Sequence, residues 1–235
     1  MKKLVVITGG TKGIGKALVH KFAENDFDIV TCSRSASELE ALEENITNFF
    51  PEAKVHICMA DLAHKEGRDK MVGYIQRLKR PVDVLVNNAG FFVQGQIHNE
   101  PEGVLDLQIQ TNLFSAYDIS RGIIGGMMDR KKGYIFNICS TASIIPYVNG
   151  GSYCISKHAL LGMTKVLREE MKPYNIKVTA VLPGATLTSS WADTDLSSER
   201  FMKPEDVADS IMAIYYLSDQ TVVEELLLRP QLGDI

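Results

Sequence analysis

Short apolar runs and longer amphipathic segments alternate along the chain. LVVIT (4–8) is rich in β-branched residues and opens into a glycine-rich turn, which predicts a buried strand. IGKALVHKFAEN (14–25) follows, with apolar residues at Ile14, Ala17, Leu18 and Phe22 in helical spacing. FDIVTC (27–32) predicts strand two, and ASELEALEENITNFF (36–50) a charged amphipathic helix with Pro51 just past its end. KVHICMA (54–60) predicts strand three, 64–79 a polar helix, and VDVLVN (82–87) strand four. A long helix is expected over 102–130, strand five over GYIFNICS (133–140), a helix over 152–172, and strand six over IKVTAVLP (176–183). Pro204 begins a last helix, and VVEELLLRP (222–230) contains strand seven.

Strands that are nearly all apolar and that alternate with helices imply a parallel sheet covered on both faces. Right-handed crossovers then give an α/β, doubly wound, seven-stranded and mostly parallel sheet. The 235 residues contain no repeat or linker and are read as a single domain. Gly184–Lys203, rich in Thr, Ser and Asp, is longer than an ordinary connection and predicts a substrate lid.

Composition narrows the class. Apolar residues are 45% and charged residues 23%, as in ordinary globular chains, and a net charge of −4 lacks the basic excess of a nucleic-acid binder. Cys32, Cys58, Cys139 and Cys154 form no CxxC pair and read as buried free thiols of a reducing cytoplasm. Leu4 to Ile7 is too short for a signal-peptide core, and no run approaches the roughly 20 residues of a membrane span. The expected location is cytoplasmic, with no membrane partner. The five histidines show no zinc spacing, so no metal is expected.

The first turn reads Thr8-Gly9-Gly10-Thr11-Lys12-Gly13-Ile14-Gly15. Glycines at 9, 13 and 15 allow a tight turn and a close approach of backbone to a pyrophosphate, at a helix N-terminus that favours anions. A site that prefers NAD places an acid after strand two to bind the ribose 2′-hydroxyl. Here Ser33 stands at that place, Arg34 follows, and Lys12 lies in the turn. Two cations and a hydroxyl suit a 2′-phosphate, which favours NADP(H).

Tyr153 and Lys157 are four apart at a helix start and share one face. A neighbouring ammonium favours the phenolate, which would make Tyr153 a general acid–base. Ser140 ends strand five, Asn87-Asn88-Ala89-Gly90 ends strand four, and Pro183-Gly184 ends strand six. In a doubly wound sheet these carboxyl ends face one ligand crevice.

TGGTKGIG, NNAG, Asn112, Ser140, YCISK and PGATLT together resemble the classical short-chain dehydrogenase/reductase family, over about 180 of the 235 residues. The resemblance implies a Rossmann-like fold and an oxidoreductase that exchanges a hydride with a carbonyl or alcohol. It implies that Tyr153 transfers the proton, and that Lys157 lowers the tyrosine's pKa and binds the nicotinamide ribose. Ser140 would hold the carbonyl oxygen, and Asn112 a water in a relay toward Lys157. Asp61 and Leu62 would flank the adenine, and Asn88, Ala89 and Gly90 would line the cofactor cleft. Pro183, Gly184 and Thr186 would follow, and Thr188 would meet the carboxamide. The ending VVEELLLRPQLGDI, with a Trp after PGATLT, is similar to bacterial sepiapterin reductases. Phe91, Tyr147 and Trp191 are candidate substrate contacts, and His158 is given no role. Apolar residues on the two long helices, Leu160, Met163, Leu167 and Met171 among them, either face the sheet or pair across a two-fold axis. By the resemblance a homodimer or homotetramer is expected. The competing class is an NADP(H)-binding regulator without turnover, against which the full set Asn112, Ser140, Tyr153 and Lys157 argues.

Overall fold

The computed structural model describes residues 2–191 and 194–235. Positions 192 and 193 of the expected lid lie outside the described residues. Seven strands form one sheet in the order β3-β2-β1-β4-β5-β6-β7, with every pairing parallel. The strands are β1 (Lys3–Thr8), β2 (Phe27–Ser33), β3 (Val55–Met59), β4 (Val84–Asn87), β5 (Gly133–Ile138), β6 (Ile176–Pro183) and β7 (Glu225–Leu228). The helices are α1 (Gly13–Glu24), α2 (Ala36–Phe49), α3 (Lys65–Arg77), α4 (Val104–Ile109), α5 (Ser115–Arg130), α6 (Gly151–Met171) and α7 (Pro204–Tyr215).

β1 shows how the apolar runs are used. Val5 and Ile7 pack with Leu18, Phe22 and Ile211 on the face covered by α1, α2 and α7. Leu4 and Val6 pack with Met71, Ile119 and Met127 on the face covered by α3, α5 and α6. A strand buried on both faces has no polar side, which is why alternation is missing from its sequence. Leu160 and Met171 of α6 are fully covered in the core, and Met163 and Leu167 pack partly buried against it. All four therefore face inward; the apolar residues that α6 exposes are Ile155 and Val166.

Two boundaries differ from the sequence reading in ways that matter. The stretch 102–130 is not one regular helix: α4 and α5 are joined by a π-helical turn, Gln110–Phe114. Strand five stops at Ile138, and Ser140 lies beyond it, capping a 3-10 turn at Thr141–Ser143. The base of the 184–203 loop is stapled by Leu187 N to Met202 O at 2.9 Å and Met202 N to Ala185 O at 3.0 Å.

Strand order reverses between β1 and β4, so the chain leaves their carboxyl ends in opposite directions and a crevice opens there. Beneath it a buried polar chain ties the central strands to the helices. Asn87 Nδ2 donates to Asn137 Oδ1 at 2.8 Å and Ser120 Oγ at 3.0 Å, and Asn137 Nδ2 donates to Thr164 Oγ1 at 2.9 Å. Such a network, with its members fully buried, specifies one arrangement of the layers it joins.

Candidate active site

The glycine turn is held from below. Thr8 Oγ1 accepts from the backbone N–H groups of Asn88 at 3.0 Å and Ala89 at 2.9 Å, and Asn88 Nδ2 donates to Thr8 O at 2.9 Å and Gly9 O at 3.0 Å. The ends of β1 and β4 thus brace each other. Gly9 and Gly13 have φ of +69° and +50°, the left-handed region that glycine enters without strain. A Cβ on Gly15 would stand 2.1 Å from Gly9 O, so only glycine fits the close turn. A Cβ on Gly13 would stand 2.8 Å from Thr188 Cγ2, across the crevice. α1 starts at Gly13 with no side-chain cap and no acid in its first turn. Its N-terminal amides are therefore open to an anion. These features fit a bound pyrophosphate.

One cleft of about 1060 Å³ runs along the carboxyl edge of the sheet. It is lined by Gly9, Thr11 to Gly15, Ser33 and Arg34 at one end, then Asp61, Leu62 and Asn88 to Gly90. Ser140, Tyr147, Tyr153, Lys157, Pro183, Gly184, Thr186, Thr188, Phe91 and Trp191 line the rest. Among the described residues given a catalytic, cofactor or substrate role from the sequence, Asn112 alone does not line it. Asn112 is fully covered, with Oδ1 accepting from Phe91 N at 3.0 Å and Nδ2 donating to Phe91 O at 3.1 Å and Ser156 Oγ at 2.9 Å. A π turn inserts one extra residue into the helical ladder, and such turns frequently mark functional sites. This one carries Asn112.

Tyr153 and Lys157 lie on the first turns of α6, with Lys157 Nζ 5.8 Å from the centre of the Tyr153 ring. Lys157 is buried and donates to Ile138 O at 2.8 Å. Ser140 Oγ accepts from Ala142 N at 3.1 Å, while Ser140 N donates to Ser143 Oγ at 3.2 Å, which fixes the hydroxyl at the end of β5. Burial pushes the Tyr153 phenol up to about 12, opposed by its hydrogen bond to Ser140. Burial also pushes the Lys157 ammonium down to about 8. Desolvation of the two buried groups therefore decides both directions. The phenol is held as a neutral acid, the form that gives up a proton.

The sequence reading missed residues around this pair. The Phe92 ring meets the Tyr153 ring edge-on at 5.0 Å and the Tyr147 ring at 6.5 Å. Gln108, fully buried, donates from Nε2 to Phe91 O at 3.2 Å and accepts from Tyr153 N at 3.3 Å when its amide is oriented to satisfy its neighbours. Its spacing of four from Asn112 is the signal that marks a shared helix face. Glu100 accepts from Ser152 N at 2.8 Å and from the Ser152 hydroxyl, at the N-terminus of α6 where a carboxylate is favoured. Asp234 and Ile235 also reach the cleft. Trp191 packs on Phe201 with ring centres 5.0 Å apart, and His158 Nδ1 turns back to Cys154 O at 2.8 Å.

A family model described as short chain dehydrogenase matches residues 3–198. Among curated relatives, a sepiapterin reductase of Chlorobaculum tepidum is 31% identical, covering 100% of this chain and 99% of its own. Among solved structures, a metagenomic short-chain oxidoreductase in complex with NADP is 30% identical with a TM-score of 0.83, covering 98% of both chains. L-sorbose reductase from Gluconobacter frateurii, complexed with NADPH and L-sorbose, is 25% identical with a TM-score of 0.89, covering 97% of this chain and 95% of its own. The family match spans the glycine turn, the π turn and the Tyr153–Lys157 pair alike, and the chain belongs to the short-chain dehydrogenase/reductase family of oxidoreductases.

Proposed function

We propose that the chain is an NADP(H)-dependent carbonyl reductase, acting as one nucleotide-binding domain, that also runs in reverse as an alcohol dehydrogenase. The observation that carries the reading is the convergence of Ser140, Tyr153 and Lys157 at one end of a cleft whose other end is a glycine cradle flanked by Lys12 and Arg34. When bound, the nicotinamide supplies or accepts the hydride. Ser140 and Tyr153 hold the substrate oxygen, and Tyr153, kept neutral by burial, delivers the proton to it. Lys157, carried on the same helix face, binds the ribose and stabilises the phenolate left behind. Gly90 leaves room beside the Asn112 carboxamide and Lys157 Nζ; a Cβ there would stand 3.0 Å and 3.5 Å from them. Asn112 fixes the backbone of that segment, and a water held there would return the proton through Lys157.

The NADP and NADPH bound by the similar structures support the cofactor. Likeness to a sepiapterin reductase, together with the aromatic wall of Phe92, Tyr147 and Trp191, supports a flat pteridine ketone as substrate. The test is a panel of ketones and aldehydes, sepiapterin included, followed by loss of NADPH absorbance. Turnover of sepiapterin above that of simple ketones is expected. No turnover of any carbonyl, with NADPH bound, would return the chain to the regulator class.

A further inference from the structure

Glu38 stands inside the cofactor cleft, at the end expected to take the 2′-phosphate. It is the third residue of α2, placed there by the Ser35 cap, whose hydroxyl accepts from Glu38 N at 3.3 Å. Its two oxygens reach back to the glycine turn. Oε1 is 2.7 Å from Lys12 Nζ, and Oε2 accepts from Thr11 Oγ1 at 3.1 Å. Thr11 Oγ1 also lies 3.3 Å from Ser33 Oγ. Of the groups suited to a 2′-phosphate, Lys12 is thus already engaged by a carboxylate, and so is the Thr11 hydroxyl beside Ser33.

We propose that Glu38 is the residue that sets how strongly the chain discriminates between phosphorylated and unphosphorylated dinucleotides, by competing with the 2′-phosphate for Lys12 and Thr11. The inference rests on the NADP(H) reading of the cleft. The Lys12 and Glu38 side chains are 62% and 36% exposed, so their ion pair is a weak one that a dianion displaces. Displacement leaves a carboxylate close to the phosphate, because α2 and its Ser35 cap hold the backbone of Glu38 in place. Lys12 and the nearby Arg34 keep the Glu38 carboxyl below its ordinary range, so the competing charge is present at neutral pH. The groups facing Glu38 from the neighbouring elements are Thr11 and Lys12 of the glycine turn and Arg34 after β2.

The test isolates the phosphate. Adenosine 2′,5′-bisphosphate and 5′-AMP are titrated calorimetrically into the full chain, and into Glu38→Gln and Glu38→Ala. Removing one exposed charge near a phosphate should tighten adenosine 2′,5′-bisphosphate by about three- to tenfold, with the gain shrinking in high salt. Binding of 5′-AMP should stay within about twofold. Unchanged or weaker binding of the bisphosphate in both variants overturns the proposal, since Glu38 would then be inert or would hold Lys12 in place for the ligand. Weaker 5′-AMP overturns it too, by making Glu38 a ribose ligand. The unmodified chain separates the two readings: if it binds both probes equally, the NADP(H) reading fails, and a gain in the Glu38 variants still upholds the proposal.

Discussion

The Asn112 carboxamide pairs with both backbone groups of Phe91, accepting from its N–H at 3.0 Å and donating to its carbonyl at 3.1 Å. Side chain and strand extension thus meet as two peptide groups do in a sheet. The π turn supplies the Asn, and the segment after β4 supplies the backbone. The pairing decides where Gly90 and Phe91 stand along the cleft. Asn112→Ala leaves both Phe91 groups and the Ser156 hydroxyl without this partner. It should cost about 2 kcal/mol and lower Tm by about 5 °C, read by thermal unfolding. A variant with unchanged Tm would show that the Phe91 backbone finds other partners.

Tyr153→Phe keeps the ring on Phe92 and removes only the hydroxyl. Cofactor affinity, read by fluorescence titration, should survive, because the glycine turn lies at the other end of the cleft. The kcat for carbonyl reduction should fall by about 10²–10⁴-fold or more, the worth of a general acid. Lys157→Ala should slow turnover and also weaken NADPH binding. The two losses should be non-additive, since Lys157 acts largely through Tyr153. Retention of more than about a tenth of kcat by Tyr153→Phe would remove it from the chemistry.

The buried pair makes stability depend on alkaline pH with opposite signs. The native Lys157 releases its proton near pH 8, below the ordinary 10.5. Between those values the unfolded chain binds the extra proton, so this group's contribution to stability rises with pH. Native Tyr153 keeps its proton up to about 12 while the unfolded chain loses it near 10, so stability falls there. Lys157→Met should therefore be more stable than the unmodified chain at pH 7, and its advantage should shrink by pH 10. Urea titrations at both pH values check this; an advantage independent of pH would contradict the buried ammonium.

NADPH is expected to bind at least about tenfold more tightly than NADH, or about 1.4 kcal/mol. Arg34→Ala should erase most of that preference and leave NADH affinity unchanged. Equal affinity of the unmodified chain for the two cofactors would defeat the assignment of Ser33, Arg34 and Lys12 to the 2′-phosphate.

The outward faces of the long helices expose Leu105, Phe114 and Tyr117 on the α4–α5 stretch and Ile155 and Val166 on α6. Helices that pair in an isologous contact bury such a patch against its own copy. Light scattering should give a dimer or tetramer of the 26.0 kDa chain, and Val166→Glu should shift it toward the monomer. A monomer at micromolar concentration would count against the assembly.

The sequence by itself determined the order of strands and helices and the two-faced burial of the sheet. Doubly buried strands must be apolar throughout, and amphipathic helices must show their stripe. It also determined that Tyr153 and Lys157 share a helix face and that a glycine turn opens α1, since both follow from local geometry. What only the tertiary structure decided depends on residues far apart in the chain. Helical periodicity does not register one extra residue in a turn, so the π turn that sends Asn112 behind Phe91 was invisible. Spacing left Met163 and Leu167 free to face either the sheet or a partner, and packing turned them inward. Glu100 meets Ser152 across 52 positions, and Glu38 returns to Lys12 because α2 starts beside the glycine turn. The acidity of Tyr153 was legible only as an attraction to Lys157; its direction came from desolvation, which belongs to the packed cleft and to no residue alone.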